Sequence, residues 1–228
     1  MSQRLVIRLI PIQIFAVCLL VGWAAIGTVR ALISTGNLAN VPAAAQTAVA
    51  GALSSGSGAT SLSPVFTPEV QHWAGKIQSW SALFKLDPNL VATVMQIESC
   101  GAPSVVSGSG AQGLFQVMPD HFAAGEDSLN PDTNAARGLA YLALGLARAS
   151  GDAGLALAGY NGGHSLIGLD SSLWPLETKR YWYWGTGIYQ DAVSGQPQSA
   201  RLQEWLKAGG ASLCAQADGQ LGINPSGS

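Results

Sequence analysis

Between Arg30 and Glu69 the chain carries no charged residue. Residues 31–66 are built mainly from Ala, Gly, Ser and Thr, as in Gly51-Ala52-Leu53-Ser54-Ser55-Gly56-Ser57-Gly58. Such a segment has too little apolar bulk to offset the entropy of ordering it, so it reads as a flexible linker. A coil of this length spans roughly 30–35 Å on average. Whatever folds must lie on either side of it. On the N-terminal side, residues 9–29 are uncharged and include Ile12, Ile14, Phe15, Val17, Leu19, Leu20, Val21, Trp23 and Ile26. About 20 such residues cross a hydrocarbon core. The stretch is longer than the ~7–15 apolar residues of a signal peptide, and Ala43-Ala44-Ala45 lies well past its end. Residues 1–30 are therefore expected to form a single-pass anchor. Arg4 and Arg8 favour a cytoplasmic N-terminus, although Arg30 competes with them. The alternative is a cleaved export signal, which would release the remainder on the same outer side.

The charges are concentrated on the C-terminal side of the linker. Only 11% of the 228 residues are charged, against about 25% in ordinary soluble domains. Of the 11 Lys and Arg, three (Arg4, Arg8, Arg30) bracket the apolar stretch, while all 13 Asp and Glu lie at or after Glu69. The C-terminal part thus has eight basic and thirteen acidic residues, a net −5. Without a basic run, it has no electrostatic reason to bind nucleic acid. Cys18 falls inside the apolar span. Cys100 and Cys214 either pair in an oxidising compartment or remain buried thiols, and the sequence leaves both open. His72, His121 and His164 are isolated and no Cys/His cluster has metal-ligand spacing, so no metal site is expected.

Thr67-Pro68-Glu69 is a helix-start signal, with a capping residue, Pro in the first turn and an early acid. A helix to about Phe84 is expected. Asp87-Pro88 repeats the signal and opens a second helix through about Ser99. The Gly- and Ser-rich stretch from Gly101 to Gly113 is a loop. Further helices are expected near 131–149, 152–160, 175–191 and 198–208. Two-residue alternation is nearly absent. The fold class is therefore mainly α, one compact helical domain over residues 67–208 with little or no sheet. The polar, Gly-rich tail at 209–228 is expected to be loosely ordered. In the aromatic run Tyr181-Trp182-Tyr183-Trp184, alternate members are expected to pack inward, with stacking on sugars as the competing use.

One residue breaks the pattern. Val91, Val94, Met95 and Glu98 share a face of the second helix by i, i+3, i+4, i+7 spacing. Three are apolar and the fourth is a carboxylate near the helix's C-terminal end. Lost solvation and the negative end of the helix dipole both favour its protonated form. A carboxyl that keeps its proton near neutral pH suits a general acid. The structural alternative is a Glu paired with Lys or Arg, or lying at an exposed helix end.

The segment Glu98-Ser99-Cys100, then Ser107, then Gly110-Ala111-Gln112-Gly113-Leu114-Phe115-Gln116-Val117-Met118-Pro119 resembles the core motif of lytic transglycosylases. These are cell-wall enzymes of the lysozyme-like superfamily, related to goose-type lysozymes. Further blocks follow in the family's order: Pro131, Asn134, Gly138, Tyr141 and Leu142; then Ala156 to Gly163, which holds an Ala-Tyr-Asn-x-Gly-like element; then Pro175, Glu177, Thr178, Lys179 and Tyr181. Lys179 stands where the family has Arg, His164 where Pro often follows, Gly159 where Ala is common and Ala102 where Asn is frequent. The four blocks cover roughly residues 69–191.

The resemblance implies Glu98 as the catalytic acid and base, with Ser99, Gln116, Met118, Tyr160, Asn161, Glu177 and Tyr181 at the substrate. It implies cleavage of the β-1,4 bond between N-acetylmuramic acid and N-acetylglucosamine, closing a 1,6-anhydro ring, with no cofactor. Asp120, Glu126, Asp127 and Asp132 carry no signal of facing the site. The resemblance implies peptidoglycan glycan strands as partner; the N-terminal helix adds the cytoplasmic membrane, and a role beside secretion or cell-envelope machinery stays open. Two rivals stand beside this reading: a muramidase that uses water, and a non-catalytic, membrane-anchored wall-binding or assembly protein.

Overall fold

A computed structural model describes residues 62–223. The anchor expected within residues 1–30 and the linker up to residue 61 lie outside the described residues, as does the tail from 224. No helix among the described residues is long and apolar enough to cross a membrane.

The described chain is mainly helical: α1 (Pro68–His72), α2 (Ala74–Phe84), α3 (Pro88–Glu98), α4 (Pro131–Arg148), α5 (Ala153–Gly162), α6 (Leu176–Val193), α7 (Ala200–Trp205) and α8 (Ala211–Leu221). Among the described residues, pairing between extended segments is confined to the isolated bridges Val106–Gln112 and Gln112–Val117. The helix starts follow from local chemistry. The Asp87 carboxylate accepts from the Asn89 N–H, with Pro88 in the first turn. Asn130 accepts from Asp132 and Thr133 ahead of α4, and Asp152 from Leu155 ahead of α5. Each such cap contributes about 1 kcal/mol. Thr67 is different: its backbone is extended before Pro68, but its hydroxyl lies 3.2 Å from Gln96 Oε1 and does not cap α1. The helix expected as one piece to Phe84 breaks at Trp73, whose indole N–H donates to the Gly101 carbonyl at 2.9 Å.

At the centre lies α3. Its Val91, Val94 and Met95 are fully buried, as are Leu114, Phe115, Leu139, Leu142, Leu157 and Ile188. Helix α6 packs on both α3 and α5, and α4 packs on α5 and α2. The C-terminal end of α3 is thereby enclosed by α6 on one side and by the loop before α4 on the other.

Two boundaries differ from those expected. The folded part does not begin at Thr67: Leu62, Ser63, Val65 and Phe66 are buried, the Ser63 N–H donates to Asn89 Oδ1 at 3.0 Å, and the Ser63 carbonyl accepts from Gln71 at 2.7 Å. These residues share the linker's lack of charge but include Leu, Val and Phe, which the core takes up. Phe66→Ala is expected to cost about 3–5 kcal/mol, as core aromatic truncations do, and to lower Tm by roughly 10 °C. A thermal melt unchanged by that substitution would show that the segment does not pack. The tail at 209–228 is also not loose up to residue 221. Residues 211–221 form α8, which packs against α1. Cys214 is bonded to Cys100 and Ala217 is fully buried, one helical turn apart. A covalent link and a narrow stripe of small residues hold this helix despite its polar, Gly-rich composition.

Candidate active site

Glu98 is the last residue of α3, continuing the stripe that buries Val91, Val94 and Met95. Its side chain is half-buried. Burial of the carboxyl is the largest influence on it, followed by the lowering effect of the Tyr181 hydroxyl and the raising effect of the Glu177 charge. The net result lifts its pKa from 4.5 to about 8. Glu98 therefore holds its proton at neutral pH. The Tyr181 hydroxyl is itself buried and has no hydrogen bond of regular geometry. It stands beside the Glu98 carboxyl as a loose neighbour, and burial together with the Glu98 charge keeps its own proton on well above the usual tyrosine range.

The loop after α3 is held by buried polar side chains. Ser99, fully buried, donates to the Leu114 carbonyl at 2.8 Å and accepts from the Gly101 N–H at 3.0 Å. Its hydroxyl is thus engaged in the loop. Asn134 of α4 reaches in from the other side: Oδ1 accepts from the Phe115 N–H at 2.8 Å, while Nδ2 donates to the Gln112 and Ser128 carbonyls. At Gly113 (φ +72°), an added Cβ would meet Asn134 Nδ2 at 2.5 Å, so only glycine allows this clamp. Gln116 also adopts a positive φ (46°), and its Nε2 donates to the Gly113 and Val105 carbonyls. Its Oε1 is the end left for a ligand.

Gln116, Met118, Tyr160 and Asn161 line one cavity of about 310 Å³, together with His121 and Tyr141. Tyr160 donates to the Phe115 carbonyl at 2.7 Å, and Asn161 Oδ1 accepts from Thr178 at 2.9 Å. The Asn161 Nδ2 is left as a donor. Met118 is 40% exposed, whereas its loop neighbours Leu114 and Phe115 are core. Glu98, Tyr181 and Glu177 form a second group, at the end of α3 and the start of α6. Tyr160 joins the two groups: it lines the cavity, and the charge of Glu98 is among the influences that raise its pKa, after burial. Ser99 lines neither group and is buried in the loop that follows α3. Two acids with no sequence signal have structural partners. Glu126 is held by Arg137 at 2.6 Å, and Asp132 by Lys76 and by the Trp80 indole.

The histidines are not all isolated. His164 stacks on Tyr141 with ring centroids 3.9 Å apart, and His121 meets Tyr141 edge-on at 5.2 Å. Burial and the charge of Arg148 hold His164 below its usual pKa. Residues 121, 141 and 164 come from three separate elements, and no spacing in the sequence pairs them. The Glu69 carboxylate lies near the sulfurs of Cys100 and Cys214. Those sulfurs are joined in a disulfide and offer no thiolate to a metal.

Residues 75–170 match the family described as the transglycosylase SLT domain. That segment resembles transglycosylase SLT domains. It contains Glu98, the loop and the cavity residues, and it ends before Glu177 and Tyr181. The chain is also 39% identical over 111 residues to a transglycosylase of Enterobacteria phage PRD1, covering 48% of this chain and 40% of the relative. It is 34% identical over 99 residues to an endo-type membrane-bound lytic murein transglycosylase A of Klebsiella pneumoniae, covering 36% of this chain and 49% of that protein. The match therefore spans less than half the length of either curated relative.

Proposed function

We propose that this chain is a peptidoglycan lytic transglycosylase with Glu98 as its catalytic acid and base. The observation that carries the proposal is a carboxyl raised to about pH 8 at the end of α3, within the transglycosylase SLT segment and beside a cavity lined with amide and hydroxyl groups. Protonated Glu98 gives its proton to the oxygen joining C1 of N-acetylmuramic acid to C4 of N-acetylglucosamine, and the C1–O bond breaks. The substrate's acetamido oxygen stabilises the positive charge at C1. Glu98, now a carboxylate, takes the proton of the C6 hydroxyl as O6 bonds to C1. The ring closes as a 1,6-anhydro sugar, Glu98 regains its proton, and no water is consumed. A tethered C6 hydroxyl has a large effective concentration, which favours closure over hydrolysis. The Asn161 Nδ2 and Gln116 Oε1 are a donor and an acceptor suited to an acetamido group. Met118 offers an exposed apolar edge, and Tyr181 and Glu177 adjust in opposite directions the proton affinity that burial gives Glu98. Release of soluble fragments from purified peptidoglycan by the full chain tests the activity. A wall that sediments unchanged would leave the non-catalytic, wall-binding reading.

Tyr181 and Glu177 supply a test of opposite signs. A general acid works only while protonated, so activity should fall as pH rises through the pKa of Glu98, near 8. Tyr181 pulls that pKa down and Glu177 pushes it up. Tyr181→Phe is expected to move the alkaline limb of kcat/KM to higher pH, and Glu177→Gln to lower pH. Shifts in one common direction would contradict these placements.

One feature favours the muramidase alternative: Glu177 is a second carboxylate acting on Glu98, and a water placed between two carboxyl groups would give hydrolysis. The extracytoplasmic, membrane-held location is likewise a proposal. It is supported by the uncharged stretch at residues 9–29, by the Cys100–Cys214 disulfide, which belongs in an oxidising compartment, and by the name of the Klebsiella relative, which is membrane-bound. Envelope or secretion machinery is the proposed setting for such wall opening.

A further inference from the structure

The aromatic run at residues 181–184 divides by helical rather than alternate spacing. Tyr181 and Trp184 turn inward, while Trp182 and Tyr183 are 39% and 43% exposed. The catalytic reading uses Tyr181 and gives Trp182 no role. Trp182 stands edge-on to Trp174, with ring centroids 6.1 Å apart and planes at 76°. Together they wall a cavity of about 620 Å³ at the start of α5, twice the volume of the one beside Tyr160. A second hollow of about 360 Å³ shares both indoles and adds Tyr183. Trp174 is buried and fixed in place by its indole N–H, which donates to the Leu166 carbonyl at 3.2 Å. The remaining walls of the larger cavity are partly polar, with Ser171, Gln190 and Thr186. The Thr186 hydroxyl is buried and has no hydrogen-bond partner. A buried, unpaired hydroxyl costs free energy unless a ligand or water completes it.

We propose that the Trp174–Trp182 cavity is a second glycan-binding site, which holds N-acetylated sugar units of the wall polymer away from the bond being cut. The inference rests on the reading of the substrate as peptidoglycan. Pyranose rings present C–H faces that pack on indoles, and rims of hydroxyl and amide groups that need partners such as Thr186 and Gln190. Volumes of this order suit a ligand of a few rings. The site lies at one end of α5 and Asn161 at the other, about 13 Å apart along the helix, so one extended strand can reach both. A polymer held at two points dissociates more slowly than one held at either. The exposed side chains of Leu173 and Leu176 beside the cavity would also suit a lipid surface. Charge argues against that occupant: Asp152 and Asp170 outnumber Lys179 around the indoles, and the chain after Arg30 carries a net −5, which an anionic bilayer repels.

The test compares full-length protein with Trp182→Ala and with the near-isosteric Thr186→Val. Co-sedimentation with insoluble peptidoglycan is expected to weaken about five- to tenfold for Trp182→Ala, as loss of one aromatic contact predicts, and less for Thr186→Val. Cleavage of short soluble glycan fragments should stay within about twofold, because Trp182 lies outside the catalytic group. Unchanged sedimentation by both variants, with unchanged melting temperatures, would overturn the proposal. So would loss of binding to phosphatidylcholine vesicles with wall binding intact, which would assign the patch to a bilayer. Wild-type protein that binds the wall through Trp182 but releases no fragments would instead overturn the catalytic reading and leave this site standing.

Discussion

Glu98→Gln is expected to lower turnover on purified peptidoglycan by at least about a thousandfold, the scale set by losing a group proposed to act once as acid and once as base. The same substitution is expected to leave the fold as stable at neutral pH, or more stable. The sign follows from the pKa. Glu98 titrates near 4.5 when unfolded and near 8 when folded. Below pH 4.5 the carboxyl is protonated in both states and costs nothing. Between 4.5 and 8 the unfolded chain gains free energy by ionising while the folded chain does not, so the group destabilises the fold increasingly up to pH 8. Glutamine keeps the shape and the hydrogen-bonding capacity and removes that cost. A variant with wild-type or higher Tm and no cleavage fits a site in which stability is given up for chemistry. A folded variant with unchanged turnover would remove Glu98 from the mechanism.

Replacing Cys100 and Cys214 together by serine is expected to produce the largest loss of stability. The bridge closes a sequence separation of 114 residues, for which the chain-entropy relation gives about 4–5 kcal/mol. In a domain of this size that corresponds to a fall in Tm of roughly 10–20 °C. The loss should start locally. Helix α8 is held by Cys214, by Ala217 and by Gln220, which accepts from the Ser104 N–H at 2.9 Å. Amide hydrogens of residues 211–221 should exchange faster in the variant before those of α3 do. Beneath α8, burial raises the pKa of Glu69 and the nearby Asp218 raises it further; opening should return this carboxyl toward its ordinary value. An unchanged melt would show that the bridge does not hold α8.

Much of this fold is legible in the sequence because its signals are local. Asp87-Pro88 and Asn130-Pro131 place capping groups one residue before Pro, and both open helices. The i, i+3, i+4, i+7 spacing puts Glu98 at the rim of the core without reference to any other element. Long-range effects are not written locally. The Gly-rich tail is helical because Cys214 reaches Cys100, and composition carries no trace of that partner. Leu62, Val65 and Phe66 look like linker because their packing partners lie elsewhere in the chain. The run at 181–184 follows helical rather than alternate spacing because it sits inside α6. In the site itself, the sequence brings forward Gln116, Asn161 and Tyr160 as polar groups but not the direction each faces. The Gln116 Nε2 is taken by two carbonyls, and Ser99 is taken by the loop. The Tyr141–His164 stack and the Asn134 clamp join residues whose spacing suggests nothing.

The most direct test of the proposed chemistry is the mass of the muropeptides released from purified peptidoglycan by the full-length protein. Intramolecular attack by the C6 hydroxyl consumes no water, so each released muramoyl end is expected as the 1,6-anhydro form, one water lighter than the reducing sugar and resistant to borohydride reduction. Products carrying reducing ends, one water heavier and reduced by borohydride, would contradict that mechanism and establish a hydrolase in its place.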